Sequence, residues 1–226
     1  MDSPISPRRL VGAALALPLL TLSGCAGFGG FGMEEAIRRL LTLSSQRAFA
    51  RLLEENGFFA HDVGGIALPP ELGGNGPTTL LAALLRQPAV RERLIRQVNK
   101  AAGEAADVAA PIVLQSIRSM SIADGLSIVR GGSTAATDYL QRQMGSAIFD
   151  AMLPEVGEAL RLFDNDVVTQ ALRVATGIDF EGLRRDVALK ASQGIYRAIG
   201  REEAAIRADP SATGDPMIEA VFGILR

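Results

Sequence analysis

Few side chains among the 226 residues can do chemistry, and their spacing narrows what that chemistry is. His61 is the only histidine, and there is no tryptophan. A Ser-His-Asp triad would have to take His61 as its base, and a zinc site would have to complete it with carboxylates. A solvent-facing or locally hydrogen-bonded imidazole is the plainer expectation in a segment so dense in glycine and proline. Glu202 and Glu203 are adjacent carboxylates, but neighbours on a helix point about 100° apart, a poor geometry for sharing one reaction centre. Salt links to Arg201 or Arg207 are their expected use. Gly131-Gly132-Ser133-Thr134 ahead of a helix could turn backbone amides toward an anion. No lysine follows it, and helix-to-helix punctuation is the plainer account. The basic run Arg86, Arg91, Arg93, Arg96 and Lys100 could meet anionic lipid headgroups or form a solvated face. No residue here is assigned as catalytic or metal-ligating, and no cofactor is expected.

The remaining reactive group, Cys25, reads differently because of what precedes it. Arg8 and Arg9 form a positive start, and Leu10 to Leu22 is an apolar run of 13 residues ending in small side chains. That is the layout of a secretory signal. A membrane span needs about 20 apolar residues, so the run is too short to be one. Leu22-Ser23-Gly24-Cys25 resembles the bacterial lipobox, which predicts cleavage after residue 24 and lipid on the Cys25 sulfur. A lipidated Cys25 is unavailable as a catalytic thiol. Position 26 is Ala rather than Asp, and the general sorting rule for bacterial lipoproteins then predicts the periplasmic face of the outer membrane.

Charge and size bound the rest. Taking Arg8 and Arg9 from the 23 basic side chains, and Asp2 from the 25 acidic ones, leaves 21 against 24 after cleavage. That balance argues against nucleic acid as a partner, since phosphate binding needs a clear excess of Lys and Arg. With one cysteine no internal disulfide is possible, so the folded part must be held by its hydrophobic core.

The elements that must carry these residues read as helices. Residues 25–33 are expected to be a flexible tether bearing Phe28 and Phe31. From Glu34 to Asn56, Ile37, Leu40, Leu41, Ala48, Leu52 and Leu53 build one apolar stripe. Gly57 to Pro77 holds nine Gly or Pro in 21 residues, too many for a regular element. It is expected to be a loop strapped down by its apolar side chains, with Phe58, Phe59, His61 and Asp62 as a possible interaction surface. A short helix starts at Pro77, and another runs from Ala89 to Ala106. Pro111 opens or kinks the next segment, which ends at Met120. Ser121 with Asp124 signals a fresh start, Gly131-Gly132 a stop, and Ser133 or Thr134 a further cap. The chain breaks around Gly145 and Pro154, and a helical stretch through Val167 and Leu172 ends at Gly177. Asp179 caps the longest helix, which keeps Leu183, Val187, Ala191, Ile195 and Ile206 on one side up to Asp209-Pro210. Asp215-Pro216 opens the last. No sustained period-two alternation occurs, so the expected fold is all-α, a bundle-like single domain over 34–226 behind a leader at 1–24.

Several segments together resemble a family of bacterial lipoproteins described as domain of unknown function 4197. They are Gly57-Phe58-Phe59 with Ile66-Ala67-Leu68-Pro69, Asn99-Lys100-Ala101-Ala102 with Ala110-Pro111, and Met120-Ser121-Ile122-Ala123-Asp124 leading to Gly131-Gly132 and Ala135-Ala136-Thr137-Asp138-Tyr139. Glu202-Glu203, Ile206-Arg207, Asp209-Pro210 and Val221-Phe222-Gly223 complete the match. Gly73-Gly74-Asn75-Gly76 departs from it, standing where a charged helix start is expected. The resemblance implies a helical, lipid-anchored envelope protein and supplies no catalytic residue. The sequence thus predicts a membrane-tethered helical module that binds another envelope protein or lipid. An apolar-ligand carrier and a carboxylate-dependent hydrolase are the alternatives.

Overall fold

The computed structural model describes residues 30–54, 57–60, 87–161 and 180–223. The leader, Cys25 and its lipobox, His61, Asp62, the segment at Pro77 and the stretch through Val167 lie outside them. Among the described residues every element is helical and there is no strand, as the periodicity predicts. Helix α1 spans Gly30–Leu52, α2 Gly57–Ala60, α3 Pro88–Ser119 and α4 Gly125–Arg130. Then come α5 over Ala135–Met144, α6 over Ala147–Ala159, α7 over Phe180–Ala208, a 3-10 turn at Pro210–Thr213 and α8 over Pro216–Phe222.

Helix α7 is the centre of the fold. Its buried positions recur every three or four residues from Leu183 through Val187, Ala191, Ile195 and Ile199 to Ile206. It packs most extensively on α1 and also touches α3, α5 and α6. Helix α3 packs on α6 and α1 through an alanine-dense stripe, Val98, Ala101, Ala102, Ala105, Ala106 and Ala109, that continues into Val113 and Ile117. Small side chains there let helix axes approach closely, and the larger Leu40, Leu41, Ile117, Leu140 and Ile195 fill the remaining space. Each such branched side chain removed from water contributes about 1.5–3 kcal/mol.

Several boundaries differ from the expected ones. Helix α1 starts at Gly30 rather than Glu34, taking the end of the expected tether, and stops at Leu52, so Leu53 is exposed rather than on the stripe. Pro111 neither opens nor ends a helix, because α3 runs unbroken through it. The missing amide leaves the Asp107 carbonyl without its helical donor, but both residues lie on the exposed side, where the carbonyl is open to solvent. Flanking Ala109 and Val113 are buried and hold the helix together. Pro154 likewise sits inside α6, with its carbonyl partner Asp150 on the exposed side. Only Gly145 breaks the chain there, ending α5 at φ +53°, a conformation that glycine adopts without cost. The fresh start near residue 121 is capped by Asp124, whose carboxylate accepts from the Ser127 amide at 3.0 Å, rather than by Ser121. Asp215 caps α8 as expected, accepting from the amides of Met217 at 2.8 Å and Ile218 at 3.2 Å.

Candidate functional site

Helix α5 has no local cap. Thr134 occupies the capping position, but its hydroxyl donates to Asp138 at 3.3 Å and leaves the helix's first amides free. Those amides are taken by Glu203, which reaches across from α7 and is 0 % exposed. Its carboxylate accepts from the Ala136 amide at 2.9 Å, the Thr137 amide at 2.7 Å and the Thr137 hydroxyl at 2.6 Å. It also accepts from Arg207 Nε at 2.8 Å. Arg207 in turn donates to the carbonyls of Val129 and Ile128, both at 3.0 Å, in the last turn of α4. Its guanidinium lies 4.7 Å from the centre of the Phe222 ring.

The signs follow the helix dipoles. A carboxylate meets the positive end of α5, and a guanidinium meets the negative end of α4. One i, i+4 pair on α7 therefore fixes the ends of two other helices and seats α8 as well. The expected salt link from Glu203 to Arg207 is present, whereas Glu202 pairs with Arg51 of α1 and not with Arg201. The two carboxylates serve separate structural contacts and do not converge on one centre. The Gly131-Gly132-Ser133-Thr134 turn acts as punctuation, with Gly131 at the end of α4.

Two turns before Glu203, the α5–α7 seam opens. A depression of about 570 Å³ is lined by Thr137, Gln141, Arg197, Gly200 and Arg201, among others. A second, of about 500 Å³, is lined by Phe149, Leu189 and Ser192, among others. They share Gln141, Gln193 and Tyr196, so they adjoin along the seam as a groove of two parts. Gly200 lets the start of α5 come close at its end, since a Cβ there would lie 3.1 Å from Thr134 Cγ2.

Tyr196 stands at the junction. It is only 7 % exposed, and its hydroxyl has no hydrogen-bond partner among the described residues. Burial pushes its phenol up to about 12, so it remains a protonated donor at neutral pH. The other described tyrosine, Tyr139, donates to the Ser121 carbonyl at 2.6 Å. One tyrosine is buried and the other half-buried, and only Tyr139 is satisfied.

The expected surface at the start of the Gly57 to Pro77 segment is altered. Gly57–Ala60 is a helical turn, and Phe58 is buried in the core at 1 % exposure, so it anchors the turn and cannot present a surface. His61 and Asp62 lie outside the described residues, as does the side chain of Phe59. In the basic run, Arg96 pairs with Glu92 and Lys100 with Glu104, the pattern of a solvated helix face. No described helix is long and apolar enough to cross a membrane, and the described residues hold no cluster of three or more metal-binding side chains.

The class these features define is an all-α domain threaded by one long helix, with a closed polar junction at one end of a seam and an open groove further along it. Residues 30–223 match the family described as Protein of unknown function (DUF4197), and the chain belongs to that family. Neither a curated protein nor a solved structure matches it.

Proposed function

We propose that this chain is a lipid-anchored helical module at the periplasmic face of the bacterial outer membrane, where it binds another component of the cell envelope. The observation that carries the reading is Leu22-Ser23-Gly24-Cys25 behind Arg8, Arg9 and a 13-residue apolar run. Acylation of Cys25 would place the domain against the bilayer. Helix α1 begins at Gly30, five residues on, and a fully extended chain reaches at most about 3.5 Å per residue, or roughly 18 Å. Two or three acyl chains, each methylene contributing about 0.8 kcal/mol, suffice for stable attachment.

Binding is favoured over hydrolysis by how the carboxylates are used. A hydrolase needs two acids turned toward one cleft, whereas Glu203 is consumed by two amides, a hydroxyl and a guanidinium.

Metabolic labelling with a fatty acid tests the anchor. The wild-type chain is expected to incorporate label and sediment with outer membranes, and Cys25→Ala to lose both. A wild-type chain that begins at Met1, carries no label and fractionates with cytosol contradicts the reading.

A further inference from the structure

Helix α1 ties its own start to one end of the fold. Met33, one turn from Gly30, packs on the start of α4, since a Cβ at Gly125 would lie 3.4 Å from its Sδ and 3.5 Å from Ile37 Cδ1. Arg38 donates to the Met120 carbonyl at 3.0 Å, which brings the end of α3 to the same place. Arg207 brings the end of α7 there too, through the Ile128 and Val129 carbonyls. Among the described residues the exposed large apolar side chains are Leu53, Val108, Leu126 and Leu189. Three of them stand well away from this end. Leu53 follows the opposite end of α1, roughly 28 Å along it from Met33, Leu189 is about 27 Å along α7 from Arg207, and Val108 about 18 Å along α3 from Met120. Leu126, 46 % exposed, lies on α4 itself.

The outer side of α4 is mixed in character. Ile128 and Val129 are buried, while Leu126 and Arg130, four residues apart, share the exposed side. Arg118 is exposed in the last turn of α3. Neither guanidinium has an ion pair among the described residues. The acids nearby are mostly engaged, Glu34 by Arg38, Glu35 and Asp215 by Arg39, and Asp124 by the Ser127 amide, which leaves Glu219 of α8 unpaired. The reading of Cys25 as a lipid anchor, on which this inference rests, says what meets this end, because the five residues to Gly30 reach at most roughly 18 Å. We propose that α4 is the bilayer contact of the anchored domain, with Leu126 entering the headgroup boundary and Arg118 and Arg130 donating to phospholipid phosphates. Leucine on one side of a surface helix gains by leaving water there, and a guanidinium offers a phosphate two parallel donors. The acyl chains hold the domain and this face orients it, so it is not expected to bind a bilayer without them.

The test keeps the acylated full chain and adds one thiol at a time. Cys25 is the only cysteine, so once its sulfur carries lipid an introduced cysteine is the single labelling site. Leu126→Cys, Leu53→Cys and Val108→Cys are labelled with an environment-sensitive dye and reconstituted into vesicles of phosphatidylethanolamine and phosphatidylglycerol that carry spin-labelled lipid. All three are expected to sediment with the vesicles, and the label at 126 to be quenched roughly threefold more than either of the others, as for a side chain about 5–10 Å into the boundary. Arg118→Glu with Arg130→Glu should remove most of that difference without loss of sedimentation. In the unlabelled chain, amide hydrogen exchange over residues 125–130 should slow on vesicles, and Leu126→Asp should reverse the slowing. Sedimentation with equal quenching at the three positions overturns this face and leaves the anchor standing, whereas chains that stay in solution overturn both. Indifference to the paired charge reversal also overturns the proposal. So does shielding of the label at 126 in the non-acylated Cys25→Ser chain as its concentration is raised, which would assign the face to a second copy.

Discussion

Two polar positions on the same helix, seven residues apart, are treated in opposite ways. Glu203 is completely buried and makes four hydrogen bonds, two to amides of α5, one to the Thr137 hydroxyl and one to Arg207. Tyr196, two turns earlier on the same side of α7, is almost as deeply buried, and its hydroxyl makes none among the described residues. Both lie against α5, so their difference is not one of location in the core. Buried polar groups persist when the fold satisfies them or when something else does. Glu203 is satisfied by the fold, whereas the Tyr196 hydroxyl is left without a partner among the described residues.

The largest effect follows from breaking the satisfied junction. Glu203→Ala leaves Arg207 buried without its partner and the start of α5 uncapped, so a loss of about 3–5 kcal/mol is expected in denaturant unfolding. A loss below about 1 kcal/mol, the level of a solvent-exposed pair, would show that the junction is not what holds α4 and α5. Thr137→Val removes one hydroxyl donor at nearly constant volume and should cost about 1.5–3 kcal/mol, the range for a hydrogen bond to a charged group. Thr137→Ser keeps that donor and should retain more of the stability.

A smaller effect is expected where α8 meets α1. Burial pushes the Asp215 carboxyl up, but the amides of Ile218 and Met217 and the Arg39 guanidinium outweigh it and hold it below the usual carboxylate value. Because the folded value is depressed, this stability is fully present above the unfolded value, about 3.9, and is lost as pH falls from there through the folded value. Asp215→Asn should therefore flatten the acid limb of the stability profile below about pH 4 and leave its slope near neutrality unchanged. An unchanged acid limb would place the acid sensitivity elsewhere.

The sequence read well wherever a local rule governs. Three- and four-residue spacing predicted the stripes of α1 and α7, and Asp215-Pro216 predicted the start of α8. It read poorly where packing overrides the local rule. Pro111 is expected to open or kink a helix and Pro154 to lie in a break, yet both sit inside helices: the Asp107 and Asp150 carbonyls they leave unpaired are on the exposed side, while buried alanines and Met152 on the other side keep α3 and α6 continuous. The cap of α5 is expected at Ser133 or Thr134 and comes from Glu203, 66 residues away from Thr137 in the chain. A signal for it was present, since Ile199, Glu203 and Ile206 share the buried spacing of α7 and Arg207 lies one turn beyond Glu203. The pair to Arg207 could be anticipated from that; the amides it caps could not, because they belong to another helix. The groove was equally hidden, because it arises only when α5 and α7 lie side by side.

The smallest effect is also the most telling, because the same substitution at two tyrosines should act with opposite signs. The measurement is the unfolding free energy of the ligand-free chain carrying Tyr196→Phe and, separately, Tyr139→Phe. Tyr139→Phe removes a bonded hydroxyl and should lower stability by about 1 kcal/mol, whereas Tyr196→Phe removes an unpartnered one and should raise it by about the same amount. If Tyr196→Phe lowers stability as Tyr139→Phe does, the Tyr196 hydroxyl is already satisfied within the fold and the contrast with Glu203 fails.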